Sequence, residues 1–474
     1  MKNSEKSLKT TKHSQTRRGF LKSATAGMIL PFAMGSATGR NMSSPAPMGN
    51  RFVLRGGTVL TMDDELGDFE QADVLVEDGL IKKVSASIDT DAIEIDARGH
   101  IVMPGFVDTH RHMWQGCLRN ILPNGRLTDY MRVVQGQARP QFTPEDAYIG
   151  NLVSALGALD AGITSILDWS HVSNTPAHSD GAVKALADSG IRAVYGYGTG
   201  DNTPENRHPE DITRIQSEFF NGDNNLLTLA LATGLNREHW QLARDLGVRI
   251  TVHVNGTGDI LPVSDIIGSD VTLIHCCNLL DEEWQLLADK SVGVSIASPV
   301  EMIMGHGIPP IQQTLDYGIS TSLSVDVETT VPGDMFSQMQ LLFTLQRMQI
   351  LARERAGEGN LPELLTAREV LRLATINGAI HNGLDDVTGS LTPGKQADII
   401  MLKGDHINTA PLNNAYGAVV TGMGRSNVEM VLVNGEIKKW NGKMINHELE
   451  EINERARTSR RGILERAGID PGIV

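Results

Sequence analysis

The stretch Ile101 to Gln115, IVMPGFVDTHRHMWQ, decides how the rest of this chain is read. Residues 101–107 are apolar and bent by Pro104 and Gly105, which predicts a short strand that delivers His110 and His112 at its end. Side chains on an extended segment alternate faces with a period of two, so both imidazoles point the same way. Two neutral imidazoles gain little from each other, but their nitrogen lone pairs can share one divalent cation. A His-x-His pair alone is a weak signal. Its position just past Pro-Gly-Phe-Val-Asp, at a strand end, strengthens it.

Working outward, strand-like and helix-like segments alternate. Strands are expected over 101–107, 164–168, 192–197, 227–231, 249–254, 271–275, 293–298 and 320–325. Between them, TPEDAYIGNLVSALGALDAG, TPAHSDGAVKALADSG, NREHWQLARDLG and LDEEWQLLADK have helical periodicity, with Thr, Asn or Asp near their starts and often Gly at their ends. Eight strand–helix repeats predict an α/β fold, a (β/α)8 TIM barrel, whose active site lies at the carboxyl ends of the strands. His110, His112, His253, His275 and Asp326 all fall at such ends. The runs FVLRGGTVLTM, ADVLVEDGLIKKV and AIEIDA before the barrel, and ADIIMLKG and VEMVLVNGEIKKW after it, read as β-strands. They predict a small composite β-sandwich formed from both ends of the chain, over 51–100 and 391–445, flanking a barrel over 101–390. A helical tail is expected over 446–474.

The PGFVDTHRH block resembles the opening motif of the amidohydrolase superfamily, specifically its mononuclear branch of cytosine-deaminase-like and triazine-hydrolase-like enzymes, and the resemblance extends from about residue 51 to 440. It implies the same barrel and sandwich. It also implies His110, His112, His253 and Asp326 as ligands of one divalent metal, zinc or ferrous iron, with His275 and Asp326 catalytic. No lysine occurs in RAVYGYG or LTLALATG to bridge a second ion. The expected chemistry is hydrolysis by metal-activated water, with Asp326 taking a proton and His275 steadying the developing charge on a small-molecule substrate. One position departs from the family: the residue three after His253 is Gly256, where deaminases carry a proton-shuttling glutamate. Glu301 and Glu328, both after late strands, are the candidates to replace it. Trp114, Gln115, Arg119 and His171, on loops after the first two strands, are the remaining candidate substrate contacts. His178, His208, His239, His306 and His381 read as incidental, and Asp334 as a helix cap.

At 474 residues the chain is long enough for a barrel and an accessory domain. A formal charge of -15 argues against nucleic acid as a partner. Three cysteines, Cys117, Cys276 and Cys277, give no disulfide framework. Residues 1–37 contain Thr16-Arg17-Arg18-Gly19-Phe20-Leu21-Lys22 before a modest apolar run broken by Pro31, which resembles a twin-arginine export signal; residues 38–50 read as a linker. That run is too short for a stable membrane anchor, and the implied location is periplasmic. A homo-oligomer is compatible with the sequence. The leading function is a metal-dependent hydrolase of a non-peptide C–N bond in a cyclic amide, amidine or heteroaryl substituent. The alternatives are a metal-dependent lyase of the decarboxylase type and a non-catalytic periplasmic binding protein.

Overall fold

The computed structural model describes residues 45–47, 49–222, 226–470 and 472. The export signal expected over 1–37, and most of the linker after it, lie outside the described residues.

Eight parallel strands form the barrel in chain order: Phe106–Arg111, Ile163–Ser170, Arg192–Tyr197, Leu227–Thr233, Arg249–Val254, Val271–His275, Gly293–Ile296 and Thr321–Leu323. Most of these strands are buried along their whole length, as expected for strands covered by side chains inside and helices outside. The ring closes at its functional end. The Asp326 main chain donates its N–H to the His110 carbonyl and accepts from the His112 N–H, both at 2.9 Å, so the segment after the eighth strand meets the end of the first at His110, His112 and Asp326.

The covering helices start where their sequences say they should. Thr143 accepts from the Asp146 N–H and Asp146 reaches back to Thr143, a capping box that opens Pro144–Asp160. Asn236 caps Arg237–Asp245 by accepting the His239 N–H, and Asp334 caps Met335–Arg355 by accepting the Ser337 N–H. Pro176–Ser189 ends at Gly190, whose φ of 68° is left-handed.

A nine-stranded sheet makes the accessory domain, and it joins the two ends of the chain: His100–Pro104 pairs antiparallel with Ile399–Lys403. Its own core contains Phe52, Leu54, Val74, Val76, Met401 and Leu432. The strand expected over 101–107 is therefore two strands. His100–Pro104 belongs to the accessory sheet and Phe106–Arg111 opens the barrel, because Gly105 breaks the run between them. Any Cβ on Gly105 would run into Thr164, while its N–H donates to the Asp398 carbonyl at 3.0 Å.

Asp398 also fastens the sheet to the barrel. Its carboxylate takes Arg192 of the third strand at 2.6 and 2.9 Å in a fully buried bidentate pair. Removing one member of such a pair strands a buried charge. Asp398→Ala is expected to lower unfolding stability by about 3–5 kcal/mol, read from a shifted urea midpoint; an unchanged midpoint would contradict this role.

The helix Leu449–Ala467 lies against Pro144–Asp160 through Ser459 Oγ to Asp146 at 2.6 Å and Arg466 to Asp146 at 2.5 Å. Among the described residues, no helix is long and apolar enough to cross a membrane.

Candidate active site

The barrel's carboxyl end gathers His110, His112, His253 and Asp326 so that their donor atoms all lie within 4.8 Å of one another. His110 Nε2 sits 3.2 Å from His253 Nε2 and 3.1 Å from Asp326 Oδ1. His112 Nε2 sits 3.3 Å from the same oxygen. Two of these residues reach the cluster from strained backbone or fixed tautomers. Asp326 has φ 66°, as His275 nearby has φ 72°, a region costly for any residue with a Cβ and concentrated at functional sites. Asp108 holds that turn, accepting the Val325 N–H at 3.1 Å and Arg111 Nε at 2.8 Å.

The donor set fits a divalent cation. His112 Nδ1 donates to the Trp169 carbonyl at 2.7 Å, and a carbonyl can only accept, so the neutral ring presents a bare lone pair at Nε2 to a carboxylate oxygen. Such lone pairs facing one another repel unless a cation lies among them. Burial pushes His110 down to about 3 and drives His253 and His171 well below the usual histidine range, keeping these imidazoles neutral. For Asp326, burial acts upward, but the surrounding imidazoles outweigh it and hold the carboxylate well below its ordinary range. Three neutral imidazoles and a carboxylate form an established ligand set for zinc or ferrous iron.

His275 stands beside this group, with Nε2 3.8 Å from Asp326 Oδ2 and Nδ1 3.2 Å from Glu301 Oε1. Glu301, fully buried, also accepts the Ala297 N–H at 2.8 Å, so it is fixed behind His275 rather than facing the opening. Burial lowers His275, but the Glu301 hydrogen bond and the two carboxylate charges prevail and raise it.

A cavity of about 330 Å³ opens over these residues, lined by His112, His171, His253, His275 and Asp326 together with residues that the sequence did not single out as contacts. Tyr130, Gln135 and Arg139 come from the π-helical segment Met131–Ala138 and its flanks, a rare geometry often found at functional sites. Tyr130 Oη takes Gln115 Nε2 at 2.6 Å and Gln135 Nε2 at 2.8 Å. Asn255, Met304 and His306 also line the cavity. His306, read from sequence as incidental, is thus in the site. The other four histidines so read are outside the cavity; His381 is buried at the barrel floor, bonded to Ser320 and Ser322.

Besides Glu301, four of the residues expected to touch substrate stand elsewhere. Trp114 is fully buried, edge-on to Phe142 at 4.9 Å, because Gly116 and Gly150 let the turn Met113–Leu118 press directly onto helix Pro144–Asp160; a Cβ on either glycine would clash with backbone. Gln115 stands one layer behind Tyr130. Arg119 and Glu328 pair with each other at 2.9 Å, and Glu328 is further held by Ser154 at 2.6 Å and lies 3.7 Å from Arg111. That pairing keeps both away from the cavity and removes Glu328 as a replacement for the absent glutamate. Of the expected contacts, His171 alone lines the opening, its ring 4.1 Å from that of His112.

Residues 101–438 match the model of the amidohydrolase family. The chain belongs to that family. Curated relatives include a 5'-deoxyadenosine deaminase of Methanosarcina acetivorans, 26% identical over 447 residues, spanning 88% of this chain and 99% of the relative. Another is a 5-methylthioadenosine/S-adenosylhomocysteine deaminase of Thermococcus kodakarensis, 28% identical over 78% of this chain and 90% of its own length. Among solved structures, an adenosine deaminase from Xanthomonas campestris with bound zinc superposes with a TM-score of 0.76 at 20% identity, over 87% of this chain and 98% of that one. The zinc complex of the atrazine chlorohydrolase from Arthrobacter aurescens gives 0.75 at 22% identity, over 86% and 100%. These amidohydrolases share the barrel and accessory sheet described above.

Proposed function

We propose that this amidohydrolase cleaves the C–N bond at an amidine-type or cyclic-amide carbon of a small nitrogen heterocycle, with one divalent metal and with His275 as the proton-holding group that the turn after His253 no longer supplies. The protein is a metal-dependent hydrolase of non-peptide C–N bonds in small molecules. The observation that carries the finer reading is the line Asp326–His275–Glu301, a histidine with a carboxylate at each ring nitrogen.

The chemistry supplied by a divalent cation held by His110, His112, His253 and Asp326 is Lewis acidity toward water. Asp326 accepts one proton of the attacking water as its oxygen bonds to carbon. Glu301 accepts a hydrogen bond from His275 Nδ1–H, which leaves the Nε2 lone pair, 3.8 Å from Asp326 Oδ2, to receive that proton from Asp326 in the course of the reaction. The electron pair of the C–N bond leaves on nitrogen, and the proton received by His275 goes with it. Atoms balance as one water added: an amidine-type carbon releases ammonia or an amine, whereas a cyclic amide opens and keeps the freed amine in the product.

The turn after His253 supports the same assignment. Gly256 donates its N–H to the Asp259 carboxylate at 2.9 Å, so this turn is tied back on itself and carries no side chain at the position three after His253. Adenosine, guanine and cytosine are therefore expected to be turned over slowly, since a positioned proton carrier contributes about 10²–10⁴ in rate.

Glu301→Gln tests the positioning role. Turnover on the best substrate of an amino-heterocycle panel should fall about 10- to 100-fold with KM and metal content held, the scale of losing a residue that orients a catalytic one. Unchanged kcat would remove Glu301 from the account.

A further inference from the structure

The proton relay does not use His306. His306 is only 8% exposed, lines the opening, and among the described residues has both ring nitrogens buried without a hydrogen-bond partner. Buried polar atoms are almost always paired, so an imidazole with neither nitrogen satisfied calls for an occupant of the cavity.

The backbone holds the ring where it is. His306 stands between Gly305 and Gly307, at φ 80° and 147°, and a Cβ on Gly307 would lie 2.8 Å from Cys277 Cβ. Its N–H donates to the Glu301 carbonyl at 2.9 Å, and its carbonyl accepts from Asn278 Nδ2 at 2.9 Å and Asn255 Nδ2 at 3.3 Å. The loops after the fifth, sixth and seventh strands thus converge on this one residue. The same helix, Ser298–Met304, sets Glu301 behind His275 and His306 against it, ring centroids 4.4 Å apart.

Burial pushes His306 down to about 4, so the neutral ring offers one N–H donor and one lone pair. The same cavity is lined by Met304, Met131, Leu127 and Val327, apolar side chains that suit the faces of a flat ring, and about 330 Å³ admits one small ring system.

We propose that His306 is a substrate-contacting residue that hydrogen-bonds a ring or exocyclic nitrogen of a planar heterocycle lying over His275, and so selects nitrogen rings over carbocycles. This rests on the heterocycle reading above, and the test separates the two. Full-length, metal-loaded wild type, His306→Phe and His306→Asn would be titrated by calorimetry with melamine, 2-aminopyrimidine and aniline, with metal content measured in parallel. The expected result is wild-type binding of an amino-heterocycle that weakens at least about 10-fold in His306→Phe, as an unpaired contact implies. His306→Asn should retain part of it, aniline should not discriminate among the three proteins, and metal content should hold. Equal affinities across the three proteins, or no heterocycle binding by wild type, would overturn the proposal. Binding that depends on His306 without any C–N cleavage would support this contact and contradict the proposed reaction.

Discussion

Asp326→Asn is expected to lower turnover by about 10²–10⁴-fold while the protein retains most of its metal. The three imidazoles remain in place, and an amide oxygen can still occupy the Oδ1 position between His110 and His112. What disappears is the proton acceptor 3.8 Å from His275 Nε2. Backbone contacts argue against collapse, because the hydrogen bonds that close the barrel here are made by the Asp326 main chain, not its carboxylate. Steady-state rates and elemental analysis on the same preparation separate the two effects. Full activity in the variant would show that another group receives the water proton.

His253→Ala should do the reverse and empty the site. Its Nε2 is one of four donors in a group 4.8 Å across, and removing it leaves His110 and His112 of the first strand with Asp326 alone. Loss of residues that merely support a ligand costs about 10- to 100-fold in metal affinity, so loss of a ligand should exceed that. His171→Ala is the matched control. Its ring lies 5.8 Å from that of His253 and lines the same cavity, yet it is not one of the four donors. After dialysis against a weak chelator, His253→Ala should retain little metal and His171→Ala nearly all. Equal losses would mean that the ligand set has been drawn wrongly.

The ligand group was readable in advance because it follows from local rules. His110 and His112 share a face by strand alternation, and His253, His275 and Asp326 each end an apolar run that had to be a barrel strand. The residues lining the cavity were less legible, since they depend on packing between distant segments. Trp114 looked like a mouth residue until Gly116 and Gly150 allowed its turn to sink onto the neighbouring helix. Glu301 and Glu328 were equivalent on paper, each following a late strand. Arg119, 209 positions from Glu328, draws the latter out of the site, whereas the Ala297 N–H fixes Glu301 beside His275. Tyr130, Gln135 and Arg139 sit around a π-helical turn that no periodicity announces. His306 did carry a signal, a histidine between two glycines after the seventh strand, and its weight becomes clear only when both ring nitrogens are seen to lack partners.

The most direct measurement is mass spectrometry of the product formed in ¹⁸O-labelled water from the fastest compound of an amino-heterocycle panel, using metal-loaded and chelator-stripped protein. The account predicts one ¹⁸O in the product, at the carbon that lost nitrogen, with formation abolished on stripping and restored by one equivalent of metal per chain. No turnover of any panel compound, an unlabelled product, or undiminished turnover by the stripped protein would contradict it.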